Sequence, residues 1–197
     1  DRHHVIEEFI EGDDLQPHLV AGEPWPMSRA IGFFAELCEG LQAIHDANIV
    51  HRDLKPSNVR VRTDGSPAII DLGVARHLAL PDFTRTSEGA DIGTPAYFAP
   101  EQFTGTKHDI DNRTDLFALG IMLYQALIGE HPFRLATCPD NLRDSICSCE
   151  AHLADSRFKE LSGPWRALCS KLLEKKRARR PYSADQVAAA LRKLGDE

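Results

Sequence analysis

The chain has 197 residues, 42% of them hydrophobic, which is enough for one sizeable core and predicts one domain. Its formal net charge of -7 argues against nucleic acid as the main partner, because phosphate binding needs clustered Lys and Arg. No apolar run approaches the ~20 residues that a membrane helix needs, so no membrane segment is predicted.

The first half of the chain predicts short strands around one long helix. Residues 4–10 alternate loosely and predict a strand. Apolar residues recur at helical spacing between 25 and 48, which predicts a helix there. Residues 59–61 and 68–70 predict two short strands around a turn at Asp64–Gly65.

The second half predicts mainly helix. Residues 74–113 carry little periodicity and are typical of a long functional loop. Residues 116–128 are apolar on nearly every side, as in a helix that is buried all round. Further helices are predicted at 165–175 and at 183–194, the latter capped by Ser183. The fold class is therefore α+β and mainly α-helical.

The cysteines indicate a reducing compartment. Five are too few and too irregularly spaced for a disulfide framework. Cys147 and Cys149 are separated by one residue, which is not the spacing of a zinc ligand pair. We expect reduced thiols in a cytoplasmic protein, and a redox role for Cys147 and Cys149 stays open.

The run from His51 to Asn58 carries the strongest chemical signal. Asp53 and Asn58 are separated by four residues, the spacing of a protein-kinase catalytic loop. Asp71, at the start of Asp-Leu-Gly, follows Asn58 by thirteen residues, and Glu101, at the end of Ala-Pro-Glu, follows Asp71 by thirty. Each motif alone is weak, and their joint order makes chance improbable.

These residue types suit phosphoryl transfer, which depends on positioning and on neutralisation of charge. Asp53 is placed to accept or orient a substrate hydroxyl, and Lys55 to offset charge on the transferred phosphate. Asn58 and Asp71 supply an amide oxygen and a carboxylate for Mg²⁺ or Mn²⁺. Gly73 lets the backbone turn sharply after the metal ligand.

In these motifs the chain resembles the C-terminal lobe of Hanks-type (eukaryotic-like) serine/threonine protein kinases, most of all the bacterial members. The resemblance runs from about Val5 to Leu194 and includes the substrate-binding segment that contains Thr94. It implies ATP-dependent phosphorylation of Ser or Thr on protein substrates, with ATP and Mg²⁺ as cofactors. In that family, Lys at the position of Lys55 and Thr at the position of Thr94 are typical of kinases that phosphorylate Ser or Thr and not Tyr.

The resemblance also assigns structural and regulatory residues. Asp115 matches the buried-helix Asp that braces the catalytic loop, and Arg180 matches the Arg that pairs with Glu101. Arg52, before Asp53, marks kinases whose activation loop is ordered by phosphorylation, because Arg pairs bidentately with phosphate. The candidate phosphorylation sites are Thr84, Thr86 and Ser87. Ordinary hydrophilic loop residues are the other interpretation of these three.

The resemblance places one domain fragment over residues 1–197, with a hinge strand at 4–12 and the C-terminal lobe at 13–195. Glu8 to Ile10 would present backbone groups to adenine. The sequence has no glycine-rich loop and no Lys before Lys55. The N-terminal lobe, and any regulatory domain, is therefore expected outside this chain, which would be inactive alone.

Two charged residues depart from the family pattern at the nucleotide site. Arg60 takes the place of an apolar side chain beneath adenine, and Glu7 falls at a position that is normally apolar or Thr. An unpaired charge in a dry site costs several kcal/mol. Either the two compensate each other or Arg60 extends its stem beneath the ring. A one-residue alignment slip at Glu7 is the remaining interpretation.

Two alternatives to a protein kinase stay open. A pseudokinase or kinase remnant would bind partners without phosphoryl transfer, and Arg60, Glu7 and the missing upper lobe favour it. A small-molecule phosphotransferase shares the Asp…Asn…Asp pattern but should lack the Gly93–Thr94 and Ala-Pro-Glu platform. Presence of every catalytic-loop residue favours the enzyme.

Overall fold

The computed structural model describes residues 8–20, 22–72, 76–77, 96–104, 109–135 and 137–196. Helices dominate these residues, and the strands are short. The helices are α1 (Leu15–Val20), α2 (Met27–Asp46), α3 (Pro100–Thr104), α4 (Asn112–Ile128), α5 (Leu142–Ser148), α6 (Ser156–Glu160), α7 (Gly163–Leu172) and α8 (Ala184–Gly195). The strands are β1 (Asp13–Asp14), β2 (Ile49–Val50), β3 (Val59–Val61), β4 (Pro67–Ile69) and β5 (Arg76–His77).

The strands form two small antiparallel sheets. One has the order β1-β3-β4, with Asp13 opposite Val61 and Val59 opposite Ile69. The other pairs β2 with β5. The two strands predicted near residues 59–61 and 68–70 are thus confirmed, the second shifted by one residue. Residues 8–10 of the predicted first strand have no regular structure, and the rest of it lies outside the described residues.

Helix α4 is the centre of the core, and every residue from Thr114 to Ile128 is buried. The prediction of a helix buried all round is confirmed. It begins earlier than predicted, at Asn112, because the Asp111 side chain accepts a hydrogen bond from Arg113 N and caps the helix. It ends at Gly129, whose φ of 79° favours glycine.

Helices α2 and α7 pack against α4, and α8 packs mainly against α2 and also against α7. Helix α2 buries Phe34, Cys38 and Leu41, and α8 buries Val187 and Leu191. The predictions near residues 25–48, 165–175 and 183–194 are confirmed with boundaries shifted by one to three residues. No described helix combines the length and the apolar character that crossing a bilayer requires.

The segment predicted as a loop at 74–113 contains helix α3 and strand β5 among its described residues. The prediction was wrong there because five- and two-residue elements are too short to show a period. Helix α3 carries Glu101, and that side chain fixes the helix in place.

Glu101 and Arg180 form a buried bidentate ion pair that joins three parts of the chain. Arg180 Nη1 donates to Glu101 Oε1 at 2.6 Å, and Nη2 donates to Oε2 at 2.8 Å. Thr114 Oγ1, on α4, donates to Glu101 Oε1 at 2.9 Å. Arg180 also donates to the backbone oxygens of Arg113 and Glu174. The pair thus ties α3, α4 and the segment after α7 together.

Arg180→Met should lower the free energy of unfolding by about 3–5 kcal/mol, because it leaves a buried carboxylate without its cation. Urea denaturation measures this. Arg179→Met is the matched control, since the Arg179 side chain is 60% exposed and 3.8 Å from Glu174. The control should lose less than about 1 kcal/mol. Equal losses in the two variants would contradict the importance of the buried pair.

Candidate active site

The loop from His51 to Lys55 is held by one buried carboxylate. Asp115 is 1% exposed and projects from the first turn of α4. Its Oδ2 accepts from His51 N at 2.9 Å, and its Oδ1 accepts from Arg52 N at 2.8 Å. His45 Nε2, at the end of α2, donates to Oδ2 at 2.8 Å. These bonds support Arg52 at a φ of 68°, an uncommon value for a residue with a side chain.

His51 connects this loop to the end of the neighbouring strand. Its fully buried ring donates from Nε2 to Ile70 O at 3.2 Å. Its Nδ1 accepts from Asp53 N at 3.4 Å. One ring nitrogen therefore donates and the other accepts, which is the pattern of a neutral imidazole. The ring fixes the distance between the loop and the residues around Asp71.

Asp53, Lys55 and Asn58 form one hydrogen-bonded cluster at the surface of the loop. Lys55 Nζ donates to Asp53 Oδ2 at 2.6 Å. Asn58 Nδ2 donates to Asp53 O at 2.8 Å and to Asp53 Oδ2 at 3.2 Å. The Asp53 and Lys55 side chains are 25% and 38% exposed, so a substrate can reach them, whereas Asn58 is buried.

Asp71 lies beside Asn58 because the ends of β3 and β4 are paired. Ile70 N donates to Asn58 O at 3.0 Å, and Val59 faces Ile69. Asp71 follows with a φ of 60° and an exposed side chain. Asn58 Nδ2 is directed to Asp53, which leaves Oδ1 as the atom that can face a cation. Oxygen donors of these types suit Mg²⁺ or Mn²⁺, with phosphates and water as further ligands.

Gln102 joins the catalytic loop to α3, and the sequence patterns did not single it out. Its Nε2 donates to Arg52 O at 2.7 Å, and its Oε1 accepts from Ala99 N at 2.9 Å. The two ends of the Gln102 amide thus link the backbone at Arg52 to the backbone at Ala99. The only signal in the sequence is its position directly after Glu101.

His131 and Tyr97 hold the segment that precedes α3. His131 Nε2 donates to Ala96 O at 2.9 Å, and Phe133 N donates to His131 Nδ1 at 3.2 Å. Tyr97 OH donates to Gln125 Oε1 at 2.8 Å. Burial lowers the pKa of His131 to about 4 and raises the pKa of Tyr97 to about 12, so both are neutral near pH 7.

Arg60 pairs with a carboxylate on β1. Its Nη1 donates to Asp14 Oδ1 at 2.6 Å, and its Nη2 donates to Gly12 O. These contacts join β1 to β3 and pair the charge. Glu7, which one of the alternatives paired with Arg60, lies outside the described residues. Glu8 and Phe9 are exposed in irregular backbone, and Ile10 is half-buried.

Several sequence-predicted residues lie outside the described part of the chain. They are Gly73, Thr84, Thr86, Ser87 and Thr94. The residues that the structure brings together are Asp53, Lys55, Asn58 and Asp71 at the loop, with Arg52 and Asp115 beneath them.

The chain was compared with known protein families and curated proteins. The profile of the "Protein kinase domain" family matches residues 1–190. Serine/threonine-protein kinase pkn2 of Myxococcus xanthus is 39% identical over 194 residues, which cover 95% of this chain and 23% of that protein. Serine/threonine-protein kinase Pkn1 of the same organism is 40% identical over 136 residues, 67% of this chain and 19% of that protein.

A third relative comes from another bacterium. Serine/threonine-protein kinase PknB of Mycolicibacterium smegmatis is 35% identical over 130 residues, which cover 66% of this chain and 20% of that protein. The chain thus spans less than a quarter of the length of the curated relatives it matches.

The depressed pKa of His131 predicts a stability that falls in acid. The folded pKa of about 4 lies below the ordinary value of 6.5, so the unfolded chain takes up the proton first. The free energy of unfolding should therefore decrease as pH falls from about 6.5 to 4, by roughly 3 kcal/mol for this ring. Urea denaturation across this pH range measures the loss.

His131→Gln keeps a donor for Ala96 O and removes the titrating ring, so it should flatten part of that dependence. The variant should keep the part of the pH dependence that His152 causes, because burial also lowers the pKa of His152 to about 4. If His131→Gln lost as much free energy of unfolding between pH 6.5 and 4 as the wild type, the contribution assigned to His131 would be contradicted.

Proposed function

We propose that this chain, which belongs to the protein kinase domain family, supplies the lower half of an active site that transfers the γ-phosphoryl group of ATP to Ser or Thr of a protein. The family and the named relatives, which are serine/threonine-protein kinases, support protein phosphorylation in general terms. The observation that carries the finer proposal is the cluster of Asp53, Lys55 and Asn58, with Asp71 beside it.

Asp53 accepts or orients the proton of the substrate hydroxyl. Its Oδ2 is held by Lys55 at 2.6 Å and by Asn58 at 3.2 Å, which leaves Oδ1 to face an incoming hydroxyl. Lys55 offsets the negative charge on the transferred phosphoryl group. At 38% exposure, its flexible stem can turn from Asp53 toward a phosphate without crossing the core.

Asn58 Oδ1 and the Asp71 carboxylate would hold Mg²⁺ or Mn²⁺, the ions that kinases use with ATP. When bound, the ion would neutralise negative charge on the phosphate groups of ATP. The chain's own contribution is to place these two oxygen donors at adjacent strand ends, through the bond from Ile70 N to Asn58 O. Pairing of β3 with β4 then keeps their separation constant.

The adenine would lie against the hinge backbone at Glu8 and Ile10. Arg60 passes beneath it, with its guanidinium held by Asp14 and Gly12 and its stem as the apolar floor. The glycine-rich loop and the Lys for the upper phosphates would come from polypeptide outside this chain, since no Lys precedes Lys55. On this proposal the isolated chain is inactive.

Protein substrates would bind on the segment that leads into α3. We assign Thr94 to the recognition of a Ser or Thr acceptor. Arg52 would receive a phosphate from Thr84, Thr86 or Ser87, which would order the activation loop. The reaction would take place in the cytoplasm, where its donor ATP is made.

A binding module without phosphoryl transfer is the second candidate, and the charged Arg60 at the adenine floor favours it. Such a module would keep the helical core and the pairs at Asp115 and Glu101 but would not turn over ATP. Transfer of labelled phosphate distinguishes the two, because only the enzyme incorporates it into protein.

Asp53→Asn in the full-length protein should lower kcat by about 10²–10⁴, because the amide cannot accept the hydroxyl proton. ATP affinity should stay within about twofold, since binding uses other groups. Transfer from radiolabelled ATP to a protein substrate measures kcat. Asp46→Asn, an exposed carboxylate at the end of α2, is the matched control and should keep full activity. Equal incorporation by wild type and Asp53→Asn would refute the role of Asp53.

Arg60→Leu should weaken nucleotide affinity about fivefold, a loss of about 1 kcal/mol, because it releases β1 and the hinge from β3. Titration of the full-length protein with ATP measures this. Arg62→Leu is the control, since Arg62 directly follows β3 and its guanidinium donates to Ser66 Oγ and Pro67 O. Unchanged affinity in Arg60→Leu would exclude Arg60 from the adenine site.

A further inference from the structure

Two partly exposed thiols meet where the loop after α4 approaches the end of α5. Cys138 lies in the loop after α4, and Cys149 directly follows α5. Their sulfur atoms are 2.9 Å apart. This is only about 0.9 Å longer than the ~2.05 Å of an S–S bond. A small approach of the two side chains would therefore complete a covalent bond.

The backbone around both thiols is already fixed by hydrogen bonds. Cys138 N donates to Leu135 O at 2.8 Å, and Cys149 N donates to Ser145 O at 2.9 Å. Ser145 Oγ donates to Pro139 O at 2.8 Å and closes the loop onto α5. The two sulfurs are thus held in contact before any reaction, which lowers the entropic cost of joining them.

A partly buried cation lies next to the pair. Lys175 Nζ donates to Ile146 O at 2.7 Å and lies 3.8 Å from the centre of the Phe133 ring. Burial lowers the pKa of Lys175 to about 8, and the Cys149 thiol is the largest influence in the opposite direction. A neighbouring cation favours a thiolate, which is the reactive form of cysteine.

The two thiols have different roles. Burial, followed by the hydrogen bond with Cys149, raises the pKa of Cys138 to about 11. The Cys138 thiol therefore keeps its proton, and we assign Cys149 as the attacking sulfur. Cys138 also lines a surface groove of about 620 Å³, so a small oxidant can approach.

The other cysteines are less suited to oxidation. Cys38 and Cys169 are buried, and burial raises the pKa of Cys169 to about 12. Cys147 is partly exposed and is the nearest competitor, but burial raises the pKa of its thiol as well. Only the pair of Cys138 and Cys149 combines contact, access and a nearby cation among the described residues.

We propose that Cys138 and Cys149 are a reversible dithiol–disulfide modification site that responds to hydrogen peroxide. The Cys149 thiolate attacks one peroxide oxygen, the O–O bond breaks, and Cys149 sulfenic acid and hydroxide form. The Cys138 sulfur then attacks the Cys149 sulfur as its thiol proton leaves, and water departs. Two thiols and one peroxide thus give one disulfide and two waters. A small thiol reductant reverses the bond by exchange.

The disulfide would tie α5 to the loop after α4 and so restrain α3. Arg143, on α5, places its guanidinium 6.0 Å from the Phe103 ring and donates to Phe103 O at 3.4 Å. Phe103 belongs to the helix that carries Glu101. An effect of oxidation on substrate binding therefore follows from this contact, and this part of the inference rests on the proposed kinase function.

The bond itself is tested by treating the full-length folded protein with hydrogen peroxide, alkylating remaining thiols and digesting with trypsin. Cleavage after Arg134, Arg143 and Arg157 puts Cys138 on one peptide and both Cys147 and Cys149 on the next. The two peptides should be linked in wild type and in Cys147→Ser. The link should fall at least tenfold in Cys149→Ser. Undiminished linkage in Cys149→Ser, or Cys138 sulfinic acid without linkage, would overturn the proposal.

The consequence is tested by steady-state kinetics of the same oxidised protein. KM for the protein substrate should rise at least threefold and return to its initial value with a thiol reductant, whereas KM for ATP should not change. Cys149→Ser should show no response. A linked protein with unchanged KM would overturn the effect on the substrate face. A reduced protein without any phosphoryl transfer would overturn the proposed function while the peptide linkage still supports the modification site.

Discussion

The acceptor capacity of the Asp115 carboxylate organises the catalytic loop. The loop is too short to form regular structure, so its backbone amides have no strand or helix partners. A carboxylate on the buried helix accepts two of these amides and the ring of His45 within 2.9 Å. Removing this charge would leave buried donors without acceptors, which is costly. The positions of Asp53 and Lys55 thus depend on a residue that never meets substrate.

Two further connections hold the site, and one of them again involves α4. Gln102 connects the loop to α3, and the pair of Glu101 and Arg180 connects α3 to α4. Each connection joins backbone or charge that would otherwise be buried without a partner. The loop from His51 to Lys55, α3 and α4 are therefore linked to one another by hydrogen bonds between described residues.

The long helices could be predicted because their apolar period extends over several turns, as in α2 and α4. The short helices α3, α5 and α6 could not, although the side-chain caps Asn141 and Asp155 mark two of their starts. The spacing of the motifs predicted Asp53, Asn58 and Asp71 as site residues, but sequence spacing gives no distances between their side chains. Gln102 and the pairing of Arg60 with Asp14 depend on segments that are distant in sequence and could emerge only in three dimensions.

The bond between His51 N and Asp115 spans 64 positions of the sequence. Contacts of such long range form late, because a large loop must close before they contribute. The catalytic loop therefore acquires its shape only after α4 has been buried. A partly folded chain would hold Asp53, Lys55 and Asn58 without their hydrogen-bonded arrangement, so this cluster forms only as folding is completed.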